Sequence, residues 1–314
     1  MSLPGPLIAI VGPTASGKSA LAEHIALALN TSVISVDAMQ VYRGMDIGTA
    51  KVPLAERRCP LLMVDVADIS QDYSVKLFQR DARACVDGLL AEGRVPVLCG
   101  GTGLYLNAVV NDMQFPAGEA GGASRSAYEQ RLADEGPEAL YQLLVERDPA
   151  SAAIIHPNNS RRVVRALEML DEGKSYAVHH EGLKRLVQLY DVRIWGISCD
   201  RAQLYQRIDR RVDEMFEQGL VEEVRGLAEQ GLAQTRTASQ AIGYKELLEV
   251  LDGRATLDEA RETIKMRTRR YAKRQLSWFK HDGRVRWLEV NDLDAAAARI
   301  IADLAKSADE PQEV

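Results

Sequence analysis

The fold of this chain is decided by residues 7 to 19, which are Leu7-Ile8-Ala9-Ile10-Val11-Gly12-Pro13-Thr14-Ala15-Ser16-Gly17-Lys18-Ser19. The apolar run at 7–11 is short, rich in β-branched residues and bounded by Gly-Pro pairs, which is typical of a buried parallel strand. After Ser19, alanine, leucine and isoleucine recur with a helical period. The pattern G-x-x-x-x-G-K-[ST] therefore lies between a strand and a helix and predicts a phosphate-binding loop.

Such a loop holds a diphosphate or triphosphate through its backbone, because its N–H groups and the start of the next helix face the phosphate oxygens. Lys18 would supply a positive charge to the terminal phosphates, and Ser19 a hydroxyl ligand for Mg²⁺. The predicted phosphate-binding residues are Gly12, Pro13, Thr14, Ala15, Ser16, Gly17, Lys18 and Ser19. The loop alone does not identify the substrate.

The composition is that of an ordinary globular protein. The 314 residues are 46% hydrophobic and 27% charged, with a net charge of −6. No apolar run approaches the ~20 residues that span a bilayer, and the N-terminus does not resemble a signal peptide. The cysteines, which are scattered without a C-x-x-C pair, indicate reduced thiols; they are Cys59, Cys85, Cys99 and Cys199. We expect a cytoplasmic monomer without a membrane span.

The order of elements predicts an α/β fold with a P-loop NTPase-like core. Strands near 7–11, 33–36 and 95–99 alternate with helices, and strand character returns at 192–198, followed by long helices to the end. The segment 116–122 is rich in glycine and predicts a linker, and residues 124–190 read as several helices. We therefore expect a parallel-sheet core formed by 1–115 and 192–314, interrupted by an all-helical insertion domain at 116–191. The acidic tail after Ala308 is expected to be frayed.

Two aspartates follow apolar strands and compete for a catalytic role. Asp37 ends the strand after the P-loop helix, where the ligand crevice of such sheets lies, so it could act as a general base or hold Mg²⁺. Its alternative role is to cap the following turn. Asp65 follows the apolar run 61–64 and would be the Walker B aspartate of a P-loop ATPase. Thr102, in a glycine turn, could reach the same crevice or simply fill the turn.

Positive charge is concentrated near the C-terminus. Residues 261–286 contain ten Lys and Arg against two acids, a local charge of +8. A capping box, Thr256 with Glu259, predicts the start of a helix. On this helix a basic stripe recurs every four residues in front of an apolar one; the basic residues are Arg261, Lys265, Arg269 and Lys273, and the apolar ones Leu257, Ala260, Ile264, Tyr271 and Trp278. The stripe favours a polyanion partner over a merely solvated face.

Two further arginine groups suggest anion binding. The first is Arg161-Arg162-Val163-Val164-Arg165, in a helix that Ser160 could cap. The second is Arg207, Arg210 and Arg211, which could close over phosphates or instead form salt bridges with Asp209 and Asp213. The spacing does not decide between these alternatives.

The chain resembles the bacterial tRNA dimethylallyltransferases, also called tRNA isopentenyltransferases. The resemblance is carried in order over nearly the whole chain by GPTASGKS at 12–19, SVDAMQVYRGMDIGTAK at 35–51, GGTGLY at 100–105, HPNNSRRVVRALE at 156–168, RVDEM at 211–215, QAIGYKE at 240–246 and AKRQLSWFK at 272–280. It implies transfer of a dimethylallyl group from dimethylallyl diphosphate to the exocyclic N6 amine of the adenine 3′-adjacent to the tRNA anticodon. Mg²⁺ would assist, and diphosphate would be released.

The resemblance also assigns roles to residues. It implies that Asp37 accepts the amine proton, that Thr102 orients the adenine, and that Arg211 and the loop from Gly12 to Ser19 hold the donor's diphosphate. It places tRNA contacts, made to the anticodon stem-loop, at Asp37, Ala38, Met39, Gln40, Thr102, Arg125, Arg161, Arg162, Val163, Val164 and Arg165. The helical insertion and the C-terminal stripe would form a clamp around that stem-loop.

Two departures from the family pattern are visible. Leu61-Leu62 stands where the family usually has a His-His pair, which makes Asp65 more similar to a Walker B aspartate. The Cys/His zinc finger of eukaryotic relatives is lacking, which favours a bacterial-type enzyme. Two other functions predict different behaviour: a small-molecule kinase or a prenyltransferase of free adenine nucleotides would turn over without tRNA, and an RNA-binding NTPase would require Asp65.

Overall fold

The computed structural model describes residues 4–115, 123–184 and 186–308. The chain begins with β1 (Leu7–Val11), α1 (Lys18–Ala28), β2 (Val33–Val36), β3 (Leu61–Leu62), α2 (Val75–Ala91), β4 (Val97–Gly100) and α3 (Gly103–Val110). Four helices follow: α4 (Ala123–Arg147), α5 (Pro149–Ile154), α6 (Ser160–Asp171) and α7 (Tyr176–Lys184). The last part contains β5 (Val192–Ser198), α8 (Arg201–Glu217), α9 (Leu220–Glu229), α10 (Tyr244–Leu251), α11 (Leu257–Lys280), β6 (Arg286–Glu289) and α12 (Leu293–Ala308).

The six strands form one parallel sheet in the order β3-β2-β4-β1-β5-β6. The strand β1 is buried on both sides: Leu7, Ala9 and Val11 belong to one hydrophobic cluster, and Ile8 and Ile10 to another. This is why its sequence is continuously apolar rather than alternating. The predicted parallel α/β fold is confirmed. The prediction that only helices follow β5 is wrong, because β6 extends the sheet beside it.

The chain divides into two compact units. The core unit comprises Met1–Val110 and Gln188–Val314, and the helical unit comprises Asn111–Val187. The helical unit has its own hydrophobic core, in which Leu140 and Leu144 of α4 pack with Val163, Val164 and other residues of α6. The helix α4 is broken at Gly136, whose φ of +84° is followed by Pro137. The predicted linker at 116–122 and the predicted frayed tail after Ala308 lie outside the described residues.

Helix starts follow the local sequence. The capping box predicted for α11 is present, since Thr256 Oγ1 accepts a hydrogen bond from Glu259 N (3.3 Å) and Glu259 Oε2 accepts one from Thr256 N (2.8 Å). The cap predicted for α6 is displaced by one residue: Asn159, not Ser160, accepts the hydrogen bond from the Arg162 backbone N–H. Asparagine and serine are both good N-caps, so the sequence alone did not choose between them.

Candidate active site

A cavity of about 610 Å³ lies in the core unit at the carboxyl ends of the strands. The loop after β1, the segment after β2, the end of β4, and the helices α8 and α11 all contribute to its lining. This is the edge at which open parallel α/β sheets bind ligands. One part of the wall is apolar and is formed by Ile208, Val212, Met215, Leu220, Ile242 and Ile264. The cavity therefore offers both a charged end and an apolar wall.

The phosphate-binding loop has the expected conformation. Gly17 has a φ of +90° and precedes α1 directly, a backbone geometry that favours glycine. Thr14, Lys18 and Ser19 line the cavity, and Lys18 Nζ donates a hydrogen bond to the Pro13 carbonyl (3.2 Å). The Ser16 hydroxyl is buried and has no hydrogen-bond partner among the described residues. An unsatisfied buried donor beside a cradle of backbone N–H groups fits a bound anion.

Burial determines the electrostatics of the two cations at this end. Surrounding protein lowers the pKa of the Lys18 ammonium, an effect that the Cys99 thiol and the Asp37 carboxylate partly oppose. Burial likewise lowers the pKa of Arg211. Both cations line the cavity with few counter-charges, so an anionic ligand there would restore the interactions that burial removed.

Of the predicted arginine lid, only Arg211 lines the cavity; Arg207 and Arg210 are exposed on α8 and do not. The competing salt bridges exist, but with other partners. Asp209 accepts two hydrogen bonds from Arg269 Nη1 (2.6 and 2.7 Å), and Asp213 pairs with Lys265 (2.8 Å), both across to α11.

Asp37 lines the cavity immediately after β2. Its Oδ1 accepts hydrogen bonds from the backbone N–H groups of Met39 (2.8 Å) and Gln40 (3.3 Å). The capping role and the cavity position therefore coexist in one side chain. The second carboxylate oxygen, Oδ2, has no hydrogen-bond partner among the described residues, so the turn fixes the carboxylate while one oxygen stays available.

Thr102 lies beside this segment but is not part of the cavity lining. Its Oγ1 accepts a hydrogen bond from the Ala38 backbone N–H (3.3 Å) and interacts with the hydroxyl of Tyr271, which does line the cavity. Burial, and next the charge of Asp37, raises the pKa of Tyr271 to about 12. Thr102 thus supports residue 38 at the margin of the cavity, and its predicted role in orienting the adenine stays a prediction.

The glycine turn after β4 is held by α11. Gln275 is buried, accepts a hydrogen bond from Thr14 N (2.9 Å) and donates one to the Gly101 carbonyl (3.0 Å), so it joins the phosphate loop to the glycine turn. A Cβ at Gly101 would lie 2.0 Å from Gln275 Nε2, and one at Gly103 2.1 Å from the Trp278 ring. These contacts explain why both positions are glycine.

The Asp65 carboxylate binds a lysine outside the cavity. It lies three residues beyond the end of β3 and does not line the cavity. Its Oδ1 accepts a hydrogen bond from Lys51 Nζ (2.6 Å), and this buried ammonium also binds Asp46 (2.8 Å) and the Tyr42 carbonyl. The Walker B interpretation of Asp65 is therefore wrong: its charge balances a buried lysine.

Glu223 connects two segments of the cavity wall without lining the cavity itself. Its carboxylate accepts hydrogen bonds from three successive backbone N–H groups, those of Asp46 (3.0 Å), Ile47 (2.8 Å) and Gly48 (3.3 Å), and from the Tyr244 hydroxyl (2.5 Å). Gly48 and Gly243 both line the cavity. The motifs at 35–51 and 240–246 therefore meet at one carboxylate.

The basic residues of α11 divide into two sets. The paired set comprises Lys265, Arg267 and Arg269, which bind Asp213, Glu246 and Asp209, while Arg261 lies over the Phe216 ring, 4.5 Å from its centroid. The free set comprises Arg270, Lys273, Arg274 and Lys280; these are exposed, and no carboxylate among the described residues lies within 4.0 Å of them. The predicted stripe is thus largely neutralised, and the available face is rotated around the helix. Leu257 and Trp278, predicted in the apolar stripe, are 45% and 47% exposed.

In the helical unit the predicted RNA-contact residues have different environments. Arg161 and Arg162 are exposed at the start of α6, and Arg165 is half-buried. Val163 and Val164 are only 1% and 2% exposed, because they face the core of the unit. Their side chains cannot contact RNA, which corrects their inclusion in the predicted range.

Sequence reasoning missed several residues of the cavity. Tyr271, Arg274 and Gln275 come from α11, and the segment 48–50 comes from a motif quoted without a role. The only sequence indication for the α11 residues would have been Gln275, a polar residue at a position where the helical spacing predicts the inward, otherwise apolar face of the helix. Within the described residues no cluster of three or more His, Cys, Asp or Glu side chains could hold a metal, and no described helix is long and apolar enough to cross a bilayer.

Comparison with known proteins agrees with this geometry. A family model described as IPP transferase matches residues 40–282, and one described as isopentenyl transferase matches residues 5–57. The tRNA dimethylallyltransferase of Geobacillus thermodenitrificans is 45% identical over 94% of this chain and 93% of its own length. That of Parafrankia sp. is 47% identical over 94% and 92%.

Solved structures give the same result. The full-length tRNA isopentenylpyrophosphate transferase from Bacillus halodurans is 42% identical, with a TM-score of 0.70 over 96% of this chain and 95% of its own. A eukaryotic dimethylallyltransferase acting on tRNA is 29% identical, with a TM-score of 0.80 over 98% and 81%. With its phosphate loop, cavity aspartate and parallel sheet, the chain therefore belongs to the tRNA dimethylallyltransferase family and is a prenyl-transferring enzyme of tRNA modification.

Proposed function

We propose that this cavity transfers a dimethylallyl group from dimethylallyl diphosphate to the N6 amine of the adenine 3′-adjacent to the tRNA anticodon. The observation that carries the proposal is that Asp37, Lys18 and Arg211 line one cavity together with a set of apolar side chains from α8, α9, α11 and Ile242. The amine nitrogen forms a bond to C1 of the dimethylallyl group, the C1–O bond to diphosphate breaks, and the N6 proton passes to Asp37. Diphosphate leaves with the bonding electrons.

The donor is held at the charged end. The loop from Gly12 to Ser19 wraps the diphosphate with backbone N–H groups, and Lys18 and Arg211 neutralise the charge that grows on it as the bond breaks. The apolar wall formed by α8, α9 and Ile242 faces the five-carbon chain. Lys18 and Arg211 are half-buried and both line the cavity, so the positive charge that stabilises the leaving group is already in place there.

The acceptor adenine approaches Asp37. Oδ1 is fixed by two backbone donors, and Oδ2 is available to take the amine proton. Because the reacting base lies inside a helical stack in free RNA, it must leave that stack to enter the cavity. Thr102 holds the Ala38 backbone and thereby the segment from Asp37 to Gln40 against which the base would lie.

The oxygen donors present fit a magnesium ion bound mainly through the substrate. Ser19 lines the cavity and offers one hydroxyl oxygen. Mg²⁺ typically keeps several waters and binds one or two protein oxygens together with substrate phosphates, so a hydroxyl beside the diphosphate suits it. When bound, it would add positive charge to the diphosphate oxygens.

The tRNA contacts divide between the two units. We propose that Arg125, Arg161, Arg162 and Arg165 of the helical unit bind the anticodon stem-loop. In the core unit, the free face of α11 provides four charges for phosphate groups that have no carboxylate partner among the described residues, and one of them, Arg274, lies over the Tyr271 ring. The side of α11 that touches the glycine turn also carries the half-exposed Trp278.

We further propose a cytoplasmic monomer, consistent with the four free thiols.

The test is a transfer assay with labelled dimethylallyl diphosphate. Undermodified tRNA should acquire label in the wild-type enzyme, and AMP and adenosine should not. Label on free AMP at a comparable rate would favour the small-molecule alternative. RNA-stimulated release of phosphate from ATP, with no labelled RNA, would favour the NTPase alternative and end the proposal.

A further inference from the structure

We infer that Glu168 is a positioning residue for tRNA, which holds Arg125 and Arg165 in the geometry that binds phosphate. The inference rests on the proposed function, in which both arginines contact tRNA. Nothing in the sequence suggests this role, because Glu168 lies on α6 among apolar residues and its neighbour Arg125 begins another helix.

The geometry centres on one carboxylate oxygen. Glu168 is 4% exposed, and its Oε2 lies 2.8 Å from Arg165 Nη1 and 3.8 Å from Arg125 Nη1. This buried oxygen accepts no hydrogen bond from any described residue, so its contacts with the two arginines are ion pairs. Two guanidinium groups from α4 and α6 therefore share a single buried acid.

The buried position of Glu168 makes its pairing with the two arginines necessary. The inward residues of α6 around Glu168 are apolar, including Val164, Leu167 and Met169. A carboxylate in such surroundings is costly unless cations pair with it, so the pairing restrains both arginines. Their side chains remain 24% and 27% exposed, which leaves N–H groups for a ligand. Arg161, by contrast, is exposed, and no carboxylate of the described residues lies within 4.0 Å of it.

The local charge allows a positioning role of Glu168 to be distinguished from a purely electrostatic effect on RNA binding. Arg125 also pairs with Glu129 (3.0 Å), so two arginines face two carboxylates and the local net charge is close to zero. If Glu168 merely reduced the attraction for RNA, its neutralisation would strengthen tRNA binding. If it orients the arginines for bidentate contact with phosphate, neutralisation would weaken binding. The two accounts predict opposite signs.

The experiment measures KM for tRNA and for dimethylallyl diphosphate in Glu168→Gln, Arg165→Ala and the double variant. We expect Glu168→Gln to raise KM for tRNA about 10-fold, because both arginines lose their buried ion-pair partner, and to leave KM for the donor unchanged. The double variant should raise KM for tRNA by less than the product of the two single effects, since Glu168 acts through Arg165 as well as through Arg125. An unchanged or lower KM for tRNA in Glu168→Gln would overturn the inference.

Three controls keep the outcome interpretable. Asp171→Asn removes an ion pair with Arg147 and hydrogen bonds from Ser124 and Tyr128 in the same unit, and should lower the melting temperature without changing KM for tRNA. Arg161→Ala should combine additively with Glu168→Gln. Glu168→Asp keeps the charge on a shorter side chain and should raise KM less than Glu168→Gln, which provides the same test in a milder variant if the glutamine variant does not fold.

The result also separates this inference from the proposed function. If Arg125→Ala and Arg165→Ala both leave KM for tRNA unchanged, the proposed tRNA contacts of the helical unit are wrong. If those variants raise KM and Glu168→Gln does not, only the positioning role is wrong.

Discussion

The loops after β2 and β3 each carry an aspartate, but they use it differently. Asp37 is held by backbone N–H groups and keeps one carboxylate oxygen available at the cavity. Asp65 binds the ammonium of Lys51, which is only 2% exposed, and so completes the structure of the loop 42–51. Asp65 is thus committed to an ion pair within the protein, whereas Asp37 is fixed by backbone N–H groups through Oδ1 and keeps Oδ2 for a ligand.

The same contrast occurs between two faces of α11. Lys265, Arg267 and Arg269 are paired with acids of other helices, whereas Arg270, Lys273 and the other free residues are not. Residue type is the same on both faces. The charges that stabilise the fold therefore differ from those available to a ligand in having ion-pair partners, and not in residue type.

The largest effect should come from Asp37. Asp37→Asn keeps the shape of the side chain but removes the base, so we expect kcat to fall about 10²–10⁴-fold. Binding of tRNA, measured by filter retention, should change little. A variant that retains more than about a tenth of the wild-type kcat would contradict the proton-acceptor role.

The second effect concerns Lys18 and pH. Lys18→Ala should lower kcat/KM for the donor about 10²–10³-fold, because it removes a charge that stabilises the leaving diphosphate. Because burial lowers the pKa of Lys18 below its usual 10.5, the wild-type protein should lose affinity for diphosphate at a lower pH than an exposed lysine would predict. Calorimetric titration across alkaline pH measures this. In Lys18→Arg the guanidinium stays charged, so an equal loss of affinity in that variant would show that another group titrates.

The third effect compares the two faces of α11. Arg270→Ala and Lys273→Ala should each raise KM for tRNA several-fold and reduce the slope of log affinity against log salt by about 1. Arg269→Ala, its matched control on the paired face, should leave that slope unchanged and lower the melting temperature instead, because Asp209 loses its partner. Equal slopes for all three variants would mean that the faces do not differ toward RNA.

The smallest effect on activity should come from Asp65. Asp65→Asn should leave kcat within about threefold, yet reduce the free energy of unfolding by about 1–3 kcal/mol, since the buried Lys51 ammonium keeps Asp46 but loses one charged partner. Urea denaturation measures the change. A loss of activity as large as that of Asp37→Asn would restore the Walker B interpretation.

The sequence predicted the strands of the core well because each is a short, largely apolar run. It did not predict β6, whose sequence Arg286-Trp287-Leu288-Glu289 is half charged, as suits the last strand at a sheet edge. It identified Lys18, Asp37 and Arg211, which lie in recognisable local patterns. It misplaced the available face of α11, because the acids that pair with Lys265 and Arg269 are about fifty to sixty residues away in the chain. It included Val163 and Val164 because a contiguous range ignores the helical period.

The contacts of the Glu223 carboxylate limit how the sequence around the pocket of this enzyme can be changed. Since it binds three backbone groups at 46–48 and the Tyr244 hydroxyl, the two stretches of chain share one anchor point. Redesign of the pocket for a bulkier prenyl donor would have to exchange both stretches together. Swapping either one alone would keep the enzyme intact only if the new stretch returned its backbone N–H groups at 46–48, or the Tyr244 hydroxyl, to the same carboxylate.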